Sequence, residues 1–232
     1  MPTVRRIRLF ALGLLLLPAA LQSQTPTGRS PTEVLLVQLR ELVDGFEYTG
    51  AVQLGAASAD LISRMRKDQL EMYLTLTAAA YFPPDADSLQ NRDLALQNLQ
   101  ALVRLRPDAR IPVELSWDGL DALLDFAATQ VFSVVVRPEP YYDLSGSDER
   151  GFVTVVASRP TDFRLVSVAN GRTEEVVQDS VRTGSSAVMG FRVHDGVRRL
   201  LLTGANEFLI IARDVATSDS TVLRVPAMVT GE

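Results

Sequence analysis

Between Gln130 and Val131 the spacing of apolar residues changes from helical to strand-like, and no Gly/Ser/Pro linker separates the two regimes. Before that point apolar residues recur at intervals of three and four, which gathers them on one helix face. After it, β-branched residues alternate with polar ones, which gathers them on one face of a strand. A helical part followed by a sheet part is the arrangement that buries both patterns. The expected fold class is therefore α+β in two domains, residues 32–130 all-α and residues 131–232 all-β. Because Gln130 runs straight into Val131, the last helix and the first strand are expected to be rigidly coupled.

In the helical half, Val34, Leu35, Leu39, Leu42 and Val43 form a stripe that stops at Gly45, with Glu33 in the first turn, where the positive helix end favours an acid. A second helix is read from Ala51 through Leu54, Leu61 and Ile62 to Met65. A third, over 68–82, ends at Pro83-Pro84, which cannot continue it. The fourth, over 88–105, carries Leu89, Leu96, Leu99, Leu102 and Val103 and closes on Arg104, Arg106 and Pro107. The fifth, over 116–130, is opened by Ser116 as N-cap and gathers Leu120, Leu123, Leu124 and Ala127 on one face. Asp118, Asp121 and Asp125 share its other face. That stripe reads either as a solvated surface or as a binding surface for a cation or a basic partner.

Tyr73, Leu76 and Ala80 in the third helix, with Ala95, Leu99, Leu102 and Pro107 in the fourth, fall at a spacing that resembles a tetratricopeptide repeat with a lengthened turn. Leu35, Leu42, Tyr48 and Ala51 resemble an earlier hairpin of the same kind, with Gly55 at a position usually held by a large residue. The TPR-like resemblance covers residues 32–110, and the fifth helix would cap the array. An unrelated antiparallel helical bundle satisfies the same periodicity. The resemblance implies a concave groove for a peptide or partner helix, and Tyr48, Tyr73 and Tyr81 are its candidate partner-binding residues.

In the second half, strands are read at 131–136, 151–158, 162–169, 173–180, 188–194, 207–214 and 221–229. Arg159-Pro160, Asn170-Gly171 and Asp195-Gly196 separate them as turns. Residues 200–229 resemble the last two strands of immunoglobulin-like or fibronectin type III-like domains of bacterial envelope proteins. In that likeness Leu202, Gly204 and Phe208 form the corner, Phe208, Ile210 and Ala212 face inward, and Asp214 begins the turn. Phenylalanine replaces the corner tyrosine, and the cysteine pair and core tryptophan of antibody domains are absent. The resemblance implies an immunoglobulin-like β-sandwich over residues 131–232.

Arg5, Arg6 and Arg8 precede an uncharged apolar run from Leu9 to Leu21, the pattern of a secretory signal peptide over residues 1–23 with cleavage near Ser23. Such a run rises only about 20 Å as a helix against a hydrocarbon core of roughly 30 Å, which leaves a retained anchor as the alternative. Residues 24–31 read as a flexible leader. Removing three arginines from 23 basic residues leaves 20 against 28 acids, a net charge of −8, unsuited to nucleic acid or an anionic membrane surface. The absence of cysteine excludes disulfides, cysteine-ligated metals and cysteine nucleophiles. No Asn-x-Ser/Thr acceptor occurs and 22 of the 23 basic residues are arginine, which fits a bacterial envelope protein, periplasmic or secreted.

No reaction emerges from the residues. His194, the sole histidine, lies beside Asp195 and in reach of a triad reading with Ser185 or Ser186, but strand neighbours point to opposite faces and Asp195-Gly196 reads as a turn. Carboxylate pairs suited to glycoside hydrolysis are not marked by a motif, and Trp117 is the single tryptophan available to stack on sugar. Asp143, Ser145, Ser147 and Glu149 alternate like calcium ligands but lack the sixth-position glycine of an EF-hand. No phosphate-cradling glycine motif occurs. The expectation is an exported cell-envelope interaction or scaffold module with no catalytic residue, cofactor or metal and with a protein or peptide partner. The alternative is a glycan- or cell-wall-binding β module with the helices as spacer.

Overall fold

The computed structural model describes residues 28–84, 89–143, 150–169, 172–174, 182–192 and 204–229. The expected signal peptide, residues 24–27 of the leader, His194, Asp195, Leu202 and the 144–149 part of the calcium-like loop lie outside the described residues, as do 175–180 of the strand read at 173–180.

Helix α1 (Pro31–Asp44) starts at a capping box. The Ser30 hydroxyl accepts from the Glu33 N–H at 3.3 Å, and the Glu33 carboxylate accepts from the Ser30 N–H at 2.9 Å. At its other end Glu47 N–H reaches the Leu42 carbonyl and Phe46 N–H reaches that of Val43, a Schellman closure. The left-handed residue of that closure is Phe46, at φ 60°, rather than the preceding Gly45.

The helix expected to run from Ala51 to Met65 is two, α2 (Tyr48–Ala57) and α3 (Ala59–Ile62). Ser58 N–H turns back to Gly55 and Leu61 N–H to Ser58, tight three-residue bonds that break the helical ladder. Helix α4 (Lys67–Tyr81) is buried without interruption from Tyr73 to Ala80, since α1, α2 and α5 (Leu89–Leu105) all pack on it. Beyond a single 3-10 turn at Val113–Leu115, α6 (Asp118–Gln130) lies on α5. Its N-cap is Trp117, whose carbonyl accepts from Leu120 and Asp121, so Ser116 is not the cap. The Ser116 hydroxyl instead donates to the Asp121 carboxylate. Leu39, Leu76, Leu99 and Leu120 form the fully buried centre of the helical core.

Among the described residues six strands form one antiparallel sheet: β1 (Val134–Asp143), β2 (Arg150–Ala169), β3 (Arg172–Glu174), β4 (Arg182–Arg192), β5 (Gly204–Asp214) and β6 (Ser220–Val229). Arg159-Pro160 was expected to be a turn between two strands, yet β2 runs through it as one strand of 20 residues. Proline lacks the N–H a ladder needs, and here the ladder does not ask for one. Pairing with β4 breaks between Val156 and Thr161, pairing with β1 ends at Ala157, and pairing with β5 begins at Thr161. The Pro160 carbonyl accepts from Val215 at 3.1 Å across that gap.

Because β4 keeps one edge of β2 on both sides of the gap, β1 and β5 occupy the other edge in succession, and the sheet curls there. All described strands therefore belong to a single hydrogen-bonded sheet rather than to the two separate layers of the expected sandwich. Val153, Val155, Phe163 and Leu165 of β2 meet Phe208, Ile210 and Ala212 of β5 and Ala187 and Met189 of β4 in a second core.

The β5–β6 turn holds Ser218 in the left-handed region at φ 65°, exposed and with its N–H on the Asp214 carbonyl. Glycine adopts that conformation without a Cβ penalty, so Ser218→Gly is expected to raise stability by about 0.5–1 kcal/mol, roughly 2 °C in Tm for a chain of this size. Thermal unfolding followed by circular dichroism reads the shift.

Candidate functional site: the cleft between helices and sheet

The two cores meet at a junction of three residues, Val131 to Ser133. Ser158 of β2 clasps it: its hydroxyl donates to the Val131 carbonyl at 2.6 Å and accepts from the Ser133 N–H at 3.1 Å, while its own N–H donates to the Ser133 carbonyl at 2.9 Å. The Ser133 hydroxyl reaches back to the Arg104 carbonyl at the end of α5 at 3.0 Å. Arg159 adds three contacts. It donates to the Thr129 carbonyl at 3.4 Å, lies over the Phe132 ring at 5.5 Å, and sets Nε 2.9 Å from the buried carboxylate of Asp214. On the far side, Arg137 of β1 pairs with Asp108, and Arg106 stands 3.8 Å from Asp108 and 3.4 Å from Glu71 of α4. With Lys67 and Asp68, Glu71, Arg106 and Arg137 surround a hollow of about 450 Å³ in which the charges compensate one another.

Along this junction runs a larger cleft of about 780 Å³. Its floor is apolar, made by Val103, Ile111 and Leu124 from the helical core and Val156 from β2. Helix α6 contributes Asp121 and Asp125 to one wall, and β4 contributes Ser185 and Ser186, both exposed. Val113, on the 3-10 turn, projects at the rim with 90% of its surface exposed. Arg110 also lines the cleft. Of the acidic stripe of α6, Asp121 and Asp125 stand in the cleft wall, and Asp118 is exposed outside it.

The three candidate tyrosines differ in burial. Tyr73 is 6% exposed, and its hydroxyl donates to the Gly55 carbonyl at 3.1 Å, which ties α4 to α2. Burial, and secondarily Tyr81, raises its hydroxyl above the usual tyrosine range. A Cβ at position 55 would stand 3.1 Å from Thr77 Cγ2, so glycine there permits the close approach of α2 to α4. Tyr73 is a packing residue and not the groove-lining one expected from the repeat resemblance. Tyr73→Phe should cost about 1 kcal/mol, the net worth of the lost hydrogen bond, seen as a lower urea midpoint. Tyr48 is half-buried at the start of α2, edge-on to Phe46 at 6.2 Å, and Tyr81 is half-buried at the end of α4.

Of the residues in the rejected triad, Ser185 and Ser186 line the cleft, whereas His194 and Asp195 lie outside the described residues. Among the described residues no group of three His, Cys, Asp or Glu is placed to hold a metal ion, and no helix is long and apolar enough to cross a membrane. No protein-family model matches the chain, and no curated protein matches it.

Proposed function

We propose that the chain is an exported protein-interaction module of the bacterial cell envelope, a scaffold whose TPR-like helical hairpins and variant immunoglobulin-like sheet act as one body. The observation that carries the reading is the clasped junction with its cleft. Ser158, Ser133 and Arg159 fix the last helix against the first two strands within three residues, and an open cleft with an apolar floor runs along that fixed seam. Clefts at junctions between folded parts are frequent places for proteins to bind ligands. The basic and apolar start of the sequence supports export, and the acidic balance of the remainder favours protein over nucleic acid as partner.

The experiment is fractionation of cells producing the full-length chain with a C-terminal epitope, followed by chemical cross-linking in the intact envelope. This reading expects a product shortened at its N-terminus, located outside the cytoplasm, that forms discrete heavier adducts with protein. An uncut product in the cytosol, or no adduct above background, contradicts it. Co-sedimentation of the processed chain with purified peptidoglycan, in the absence of protein adducts, would favour the glycan-binding alternative instead.

A further inference from the structure

We propose that the cleft along the helix–sheet seam binds an extended peptide segment of a partner protein in which apolar and basic residues alternate. The inference rests on the reading of the chain as an interaction module and names the chemistry of what it holds. Three features select that occupant.

The first is the apolar lining, where Val113 at the rim offers one side chain almost wholly in water and the half-buried Ala109 and Ala128 adjoin a floor backed by the core residues Val103, Ile111, Leu124 and Val156.

The second is charge. Helix α6 carries three aspartates and no lysine or arginine, and it turns Asp121 and Asp125 into the cleft. Asp108, the third acid lining the cleft, is neutralised by Arg137, and Asp121 keeps a hydrogen bond from Ser116. Arg110 offsets part of the remaining negative charge, so the wall of α6 and not the cleft as a whole is the acidic surface. An apolar side chain directed to the floor and a basic one directed to that wall satisfy both.

The third is the edge of β4. Its pairing with β2 passes through Ser186↔Val156 and resumes at Gly184↔Thr161, and among the described residues no strand pairs with its other edge. Ser185 and Ser186 therefore bring strand backbone to the cleft, and an extended segment laid beside them has side chains on alternate faces, one set toward the floor and one away from it.

The test measures binding of a fluorescein-labelled peptide of alternating Val and Arg to the full mature chain by fluorescence anisotropy. A Val/Glu peptide of the same length serves as comparison. The Val/Arg peptide is expected to bind at least tenfold more tightly than the Val/Glu peptide and to weaken with added salt. Asp121→Asn with Asp125→Asn should weaken it by roughly tenfold, and Val113→Ser should weaken it at any salt concentration. Asp125 and Val113 are exposed, so D125N and V113S alone preserve the fold, and circular dichroism of each variant confirms it. Equal binding of the two peptides, or binding that these variants leave unchanged, overturns the proposal.

In the native envelope, a photoreactive benzoylphenylalanine at position 113 should form adducts whose cross-linked segment is basic and apolar. Adducts formed from position 46, where Phe46 is also exposed, but none from position 113 would overturn the cleft and leave the interaction reading standing. Adducts from neither position would overturn both.

Discussion

Asp214→Ala is expected to lower folding stability by about 3–5 kcal/mol, the cost of removing one partner of a buried ion pair. The carboxylate is 1% exposed and serves two structures at once. One oxygen accepts from the N–H groups of Ala216 at 2.7 Å and Thr217 at 3.2 Å, which closes the β5–β6 turn. The other stands 2.9 Å from Nε of Arg159, whose side chain is itself mostly buried. Alanine leaves a guanidinium in a dry site and two turn N–H groups without their acceptor. Asp214→Asn retains an acceptor for the turn, so its loss should be smaller. In an Arg159→Met background Asp214→Ala should cost distinctly less than in the parent, because the stranded charge is gone.

Acidification probes the same group. Burial works to raise the Asp214 carboxyl, but the turn N–H groups of Ala216 and Thr217 and the Arg159 guanidinium outweigh it and hold the group below its ordinary value. A carboxyl depressed in the folded state stabilises fully above its unfolded value near about 3.9 and loses that contribution as pH falls through the lower, folded value. Stability measured by urea unfolding should therefore fall over that acidic window, and Asp214→Ala should remove this part of the decline.

Leu99→Ala should cost about 3 kcal/mol or more. Leu99 has no exposed surface in α5, a helix that packs on α4 on one side and α6 on the other, and truncation leaves a cavity that neither neighbour closes without moving. Leu94→Ala in the same helix, at a position 40% exposed, should change stability by well under half as much. Urea midpoints of the two variants separate a lost core contact from a general helix effect.

The helical period made the first half legible because amphipathic stripes recur there without competition. The bounds of α1 and α4 follow from Pro31, Gly45 and Pro83-Pro84, which punctuate the chain by their own backbone chemistry. The break at Ser58 did not announce itself, since a serine inside an alanine-rich stretch has no strong preference for interrupting a helix. Pro160 misled for a physical reason. Proline marks a turn where a ladder requires its N–H, and only the pairing register shows that no strand makes that demand between Ala157 and Thr161. Tyr73 misled similarly, because the same spacing serves a groove and a core, and the Gly55 carbonyl that occupies its hydroxyl lies 18 positions away. The acidic wall of the cleft was visible as a stripe, but a stripe does not say what stands opposite it. Here the opposite side is β4, contributed by the other half of the chain.

If the clasped seam holds helices and sheet as one body, a probe on each half keeps a fixed distance from the other. With no native cysteine, Gln53→Cys in α2 and Val222→Cys in β6, both exposed, give two spin-label sites on opposite sides of that seam. Pulsed dipolar electron paramagnetic resonance on the doubly labelled mature chain reads the distance between them. A single narrow distance distribution is expected, and a broad or multi-peaked one from the folded protein would show that the seam does not hold the two halves together.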